Sequence, residues 1–421
     1  NSEGKAVFKD EIETPQDYPR IRPTLDLNFA SVKKLDSRIT YNRTGPASYT
    51  DEFGMVRIVG HDVPRFDHDP NTRECRGLLL EDARTNYVRN SVDLASEWTS
   101  GSGSTDVDYT ITNPDGSVGA WYHTGAEVYH QDIDLSGAST NVITVSLWVK
   151  ERSGQSGTLD IQIYQQITGS VVLVGGFNFN PATAAISTGG ANFSDGRVME
   201  YPNGWYRISA KVTTASGNFS STTRFDLQGQ EHYVWGMQLE TAAFPSSFIP
   251  TYGERTRTRG KDLASIDGSN FTDFFNQVEG TINVAYWLGH DSTAMRVFQI
   301  NDSDNSVIDI VAGAGSGAGG YGYINTGGVA QGNAGQSSTN ANYLNNLHVT
   351  TIAYKTNDIA GINRNTGVLT TDTSATLDGA YNRVTFYQGS NGGDLLNGHL
   401  QRVQYYPKRL PNSQLETLNN Q

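Results

Sequence analysis

The chain has 421 residues, a formal net charge of −13, only 18% charged residues and a single cysteine. The length calls for more than one domain, the negative charge excludes nucleic acid and anionic membranes as partners of the whole chain, and one cysteine excludes an intrachain disulfide framework and a cysteine-cluster metal site. Abundant Gly (45), Tyr (21) and Phe (16), without long Ala-, Leu-, Glu- and Lys-rich stretches, predict an all-β protein.

Residues 1–24 are polar, with Pro15, Pro19 and Pro23, and read as an extended N-terminal arm that packs on a partner. Neither a signal-peptide h-region nor an apolar run long enough to span a bilayer is present, so no membrane insertion is expected. Residues 25–90 carry short alternating pieces broken by turns and read as a small β-rich attachment module. In "YTDEFGMVRIV", Met55, Val56, Ile58 and Val59 follow a turn, which predicts a hairpin.

From 91 to 258 the alternation is clearer. In "NVITVSLWVK", Ile143, Val145, Leu147 and Val149 share one face, and Thr144, Ser146 and Trp148 the other. In "TLDIQIYQQ", Leu159, Ile161 and Ile163 face inward. "GWYRISAKV" and "HYVWGMQLE" extend the pattern, which predicts an antiparallel sandwich. Residues 259–421 repeat it in "GTINVAYWLG", "HVTTIAYK", "RVTFYQG" and "LQRVQYYP", giving a second sandwich in series. The glycine-rich run 311–338 is expected to form small-residue strands and turns inside that domain. One helix is expected, at "LPNSQLETLNN", with Pro411 in its first turn.

Motifs of common enzymes are missing from the sequence: H-E-x-x-H, G-x-S-x-G, a phosphate-binding loop, the E-x-D-x-x-E of retaining glucanases, and a short β-helix repeat. The expectation is a non-enzyme that requires no cofactor. "HDVPRFDHDP" offers His61, Asp62, Asp67, His68 and Asp69, which read either as ligands to a divalent ion or as a structural cluster. In the structural reading, which is the expectation, Arg65 and Arg84 pair with Asp67, Asp69 or Glu81, and Pro64 and Pro70 bracket a fixed turn. Cys75 is expected to be a small buried apolar residue. Trp98, Trp121, Tyr122 and Tyr129 are the candidates for stacking on a sugar, against the alternative that they pack the core; Trp205 and Trp235 are read as structural.

Three resemblances overlie this reading. "LDLNFASVKKLDSRITYNRTGPASYTDEFG" followed by "PRFDHDPNTRECRGLLLEDARTNYVRNS" resembles a module of tailed-bacteriophage structural proteins, with Asp26, Asp36, Arg38, Arg43, Arg65, Asp67, Gly77, Glu81, Arg84 and Asn86 among the matching positions. Residues 87–258 are similar to jelly-roll carbohydrate-binding modules, through "NPDGSVGAWY", "PNGWYRIS", "VWGMQLETAAFPSSFIPT" and "TRGKD". Residues from about 263 to 418 are similar to concanavalin-A/laminin-G-like sandwiches, through "VEGTINVAYW" and "NGHLQRVQYYPKRLPNSQLETL". Together they imply a tail-fibre, spike or other adsorption protein of the virion, assembled in the host cytoplasm and attached to other tail or capsid proteins through the arm. They also imply a homo-oligomer, with a trimer favoured, and recognition of host-surface glycans. The jelly-roll likeness implies a structural Ca²⁺, with no residues assigned to it. The alternatives are a glycan-degrading tail enzyme with lectin-like accessory domains, or a virion connector or decoration protein that binds no glycan.

Overall fold

Repeated apolar–polar alternation builds two antiparallel β-sandwiches in a computed structural model, which describes residues 19–100, 104–124, 129–137, 140–167, 170–188, 192–214, 219, 222–253, 255–290, 295–302, 306–312, 320–335, 344, 346–365, 367–377, 379–386 and 396–420. In the first sandwich, one sheet orders the strands Phe193–Tyr201, Trp205–Thr213, Val142–Lys150, Tyr233–Glu240, Val118–Thr124 and Ser104–Thr112. The facing sheet orders Ala185–Thr188, Ser170–Asn180, Leu159–Ile167, Thr223–Gly229, Tyr129–Ile133 and Thr99–Ser100. Ile143, Val145, Leu147 and Val149 of one sheet share a buried core with Leu159, Ile161 and Ile163 of the other, as the alternation predicts. Each such side chain contributes roughly 1.5–3 kcal/mol through burial.

Trp148 points the opposite way on its strand and seeds a second, aromatic core on the outer face of the first sheet. Its ring meets Trp235 at 5.1 Å and Phe248 at 5.6 Å, both edge-on. Gly236 sits under that ring with φ +65°, and a Cβ there would stand 2.6 Å from the Trp148 ring, so the close approach requires glycine. The expected hairpin covers this cluster: Ala47–Thr50 pairs with Val56–Val59, and Val56 reaches into the aromatic core. Asp51 holds the turn by accepting from the Phe53 and Met55 N–H groups and pairing with Arg57 at 2.6 Å.

The second sandwich differs from the expectation of domains strung in series. One of its sheets orders Leu369–Asp372, Ile359–Asn363, Leu347–Lys355, Glu279–Leu288, Gly398–Tyr406, Cys75–Leu80 and Phe66–His68, with Leu25–Asn28 also paired to Gly398–Tyr406. The other orders Thr40–Asn42, Leu263–Asp267, Arg383–Phe386, Met295–Asn301, Val307–Ala312, Tyr321–Thr326 and Val329–Ala334. Residues 25–80 therefore do not stand apart as an attachment module. Leu25, Leu27, Phe29, Leu78 and Leu80 lie in one core with Ile282, Val284 and Val403. The reason is an open edge: one side of Gly398–Tyr406 is taken by Glu279–Leu288, and the early strands close the other. Gly77, with φ +100°, makes that closure possible, because a Cβ would lie 2.1 Å from the Leu400 carbonyl oxygen.

The expected arm lies outside the described residues up to position 18, and Thr24 donates its hydroxyl to the Phe274 carbonyl. The glycine-rich run includes the strands Tyr321–Thr326 and Val329–Ala334, and begins at the end of Val307–Ala312; its segments 313–319 and 336–338 lie outside the described residues. The expected C-terminal helix runs Asn412–Asn419, with Pro411 at the N-cap and not in the first turn, and packs Leu415 and Leu418 on Ala353, Ala360 and Tyr406. Two further helices, Phe29–Val32 and Gly268–Thr272, are too short to show a 3.6-residue period, and the first is capped by the Asn28 side chain accepting from the Ser31 N–H.

Candidate functional site

The chain passes between the sandwiches through a short ribbon, Arg84–Asn86 paired with Arg257–Arg259, and charged residues from both sides of it converge there. Arg65 is fully buried. It donates to Glu81 at 2.7 Å, to the Ser247 hydroxyl at 2.7 Å, to the Ser48 carbonyl at 2.9 Å and to Asp262 at 2.5 Å. Glu81 also accepts from the Ser247 N–H and hydroxyl, and Asp262 accepts from the Glu81 N–H and the Tyr41 hydroxyl. Arg259 lies 3.4 Å from Glu81, and Arg43 lies 3.5 Å from Asp262. Glu240, held by Gln238 and Ser246, adds its field to Arg259. Arg43, Arg65 and Arg259 thus stand against Glu81, Asp262 and Glu240, and the formal charges cancel. Burial opposes ionisation of Glu81, but Arg259, Arg65 and Ser247 outweigh it and hold its carboxyl well below the usual range. Burial opposes the charge on Arg65 too, and Asp262 with Glu81 overcomes it.

This is an ionic clamp between domains, because Glu81 follows a strand of the second sandwich while Ser247 follows a strand of the first. Phe244 of the first stacks on His290 of the second at 3.7 Å and lies under Arg84 at 5.0 Å. Burial, with Arg84 and Arg197 nearby, lowers His290 to about 4, so its ring is neutral and stacks as an apolar plane.

The expected partners of the charged stretch are corrected in part. Arg65 does pair with Glu81. Arg84 instead meets Asp82 at 3.3 Å, Asp69 meets Arg76 at 2.5 Å, and Asp67 meets His399 at 2.8 Å. Local backbone geometry decides these outcomes: Asp69 turns back to accept from the Asn71 and Thr72 N–H groups, which presents it to Arg76. His61 accepts from the Gly45 N–H, and Asp62 from the Arg43 N–H. The acids and histidines of "HDVPRFDHDP" are therefore taken up by local hydrogen bonds and ion pairs, and among the described residues no three His, Cys, Asp or Glu side chains gather to hold a metal ion. Cys75 is only half-buried, at the start of a strand.

The sugar-stacking candidates do not form a common platform. Trp98 (9% exposed) packs edge-on to Phe225, and Tyr129 (2% exposed) lies in the same core. Trp121 and Tyr122 are consecutive in one strand and so face opposite sides of the sheet, one toward the inner core and the other toward the aromatic core. The Tyr122 ring is covered by the Arg152 guanidinium at 4.0 Å, and its hydroxyl donates to Asp106.

What the sequence did not point to is a cleft of about 180 Å³ beside the clamp, lined from both sandwiches. A register shift between Asp67 and His68 turns both consecutive side chains toward Thr50: Asp67 accepts from the Thr50 N–H, and His68 Nδ1 donates to its carbonyl. His68 Nε2 has no hydrogen-bond partner among the described residues, on a side chain 3% exposed. Arg207 lies over Trp148 at 4.7 Å and donates to the Ser246 carbonyl and the Ser146 hydroxyl, and its Nε has no hydrogen-bond partner among the described residues. Arg197 donates to the Gly289 carbonyl across the domain boundary at 3.1 Å. A second hollow, about 270 Å³, lies on the outer face of the second sandwich, beside Asn283, Gln401, Gln404 and the ion-paired Arg402.

No protein-family model matches the chain, and no curated protein matches it in sequence. Among solved structures it is similar to the mouse laminin alpha1 chain, domains LG4-5, at 8% identity and a TM-score of 0.23, over 80% of this chain and 91% of that one.

Proposed function

We propose that this chain is a structural protein of a bacteriophage virion, of the tail-fibre, spike or adsorption type, that holds host-surface glycans without cleaving them. The observation that carries the reading is the ionic clamp. Arg65 and Glu81 belong to the stretch that resembles the phage module, and both are buried in charge-matched contacts that fix two sandwiches in one orientation. A projecting attachment protein needs such rigidity, because a fixed orientation lets repeated weak sites act together. In this reading the chain assembles with two further copies and reaches other virion proteins through residues 1–24. The two hollows, one amide-lined and one arginine-lined, offer polar groups of the kind that bind sugar hydroxyls and acidic substituents.

The test is to incubate the purified protein with a panel of bacterial capsules and lipopolysaccharides while measuring binding, reducing ends and mass by sedimentation. A trimer that binds and releases no reducing ends is expected. New reducing ends would make it a glycan-degrading tail enzyme. A monomer, or a trimer with no glycan bound, would overturn the attachment reading in favour of a connector or decoration protein.

A further inference from the structure

We infer that the cleft between the sandwiches binds a carboxylated sugar unit of the uronate class, an inference that rests on the glycan-recognition reading. The first observation is unmatched positive charge. Among the described residues, neither Arg197 nor Arg207 meets a carboxylate, although both line the cleft and every arginine of the clamp beside it does. The acids on the same wall are already engaged. Glu81 is held by Arg65, Arg259 and Ser247, and Asp67 by the Thr50 N–H and His399, so neither is a partner for the unmatched guanidiniums. A carboxylate entering the cleft would supply the missing partner in the planar geometry that guanidinium favours.

The second observation is His68. Nδ1 donates to the Thr50 carbonyl, and Nε2 has no hydrogen-bond partner among the described residues, in a side chain more than nine-tenths buried. A simple carboxylate such as acetate has no hydroxyl to set beside that nitrogen, whereas a sugar acid carries several next to its carboxylate. The third is the lining itself. Leu79, Leu288 and Met199 give apolar surface for the ring's C–H face, in a cleft of about 180 Å³ that has room for a sugar ring. The cleft draws on both sandwiches, so it exists only while the clamp fixes their orientation.

Titration calorimetry of the full chain with glucuronate, glucose and inorganic phosphate, together with Arg197→Gln and Arg207→Gln, tests the inference. Glucuronate should bind at least about tenfold more tightly than glucose or phosphate, and each substitution should weaken glucuronate by about tenfold or more, as expected for a charged hydrogen bond. Arg197→Gln guards against misfolding, since Arg197 is half-exposed and its side chain donates, among the described residues, to the Gly289 carbonyl alone. Glucuronate binding no tighter than glucose, phosphate binding as tight as glucuronate, or Arg197→Gln binding as well as wild type would each overturn the inference. If the glycan panel is bound but glucuronate is not, the inference fails and the attachment reading stands; if glucuronate binds but no panel glycan does, the attachment reading fails alone.

Discussion

Two groups of arginines lie side by side at the domain junction and have opposite surroundings. In the clamp, Arg43, Arg65 and Arg259 are buried and face Glu81, Asp262 and Glu240. At the cleft, Arg197 and Arg207 are only half-buried and find carbonyls, a hydroxyl and an aromatic face, but no carboxylate among the described residues. Burying a charge demands a partner inside the fold, whereas a half-exposed charge can wait for one from outside. Matched charge here builds the molecule, and unmatched charge leaves it something to bind with.

The largest effect comes from breaking the match. Arg65→Ala leaves Glu81 and Asp262 without their shared cation, and chemical denaturation followed by tryptophan fluorescence should show a loss of about 3–5 kcal/mol. The pH dependence has the same origin. Glu81 has a folded pKa below its unfolded one, so its contribution is present above the usual carboxylate range and lost as pH falls through it. Denaturation midpoints measured from pH 6 down to pH 3 should therefore fall in the wild type and fall less steeply in Arg65→Ala.

Asp226 sharpens the comparison from the other side. It is buried in the first sandwich, one of its oxygens has no hydrogen-bond partner among the described residues, and burial lifts it to about 7 despite Arg224. Its folded pKa lies above the unfolded one, so stability declines as pH rises from about 4 to about 7. Asp226→Asn should gain roughly 1–3 kcal/mol at pH 8 and nothing at pH 4, measured by urea denaturation at each pH. The smallest effects belong to the cleft. Arg207→Gln loses two hydrogen bonds and a cation–π contact, about 1 kcal/mol or somewhat more, and Arg197→Gln should stay within about 0.5 kcal/mol of wild type in the same denaturation series.

Much of the fold was legible because it is local. Ile143, Val145 and Leu147 alternate along one strand, and the hairpin around Asp51 announces itself within a few residues. What was not legible is pairing across hundreds of positions. Arg65 and Glu81 lie 16 residues apart in one charged stretch, close enough to be paired from sequence, but Asp262 enters the same site from 197 residues away. Arg259 and Asp262 were visible in "TRGKD" only as part of a likeness, with no signal of their role. Likewise, the short alternating pieces of residues 25–90 pointed to β structure, but not to Leu25, Leu27 and Leu78 joining the core of the C-terminal sandwich. Trp121 and Tyr122 drew attention as a pair, although strand geometry separates adjacent side chains. The cleft was invisible for a related reason: Arg197, Arg207 and His68 become neighbours only after both sandwiches have formed and docked.

The clamp's central role can be read in a single calorimetric scan of the wild-type chain. If charge-matched contacts bind the two sandwiches into one unit, heating should give a single cooperative unfolding transition at neutral pH. Two well-separated transitions, one for each sandwich, would contradict the account.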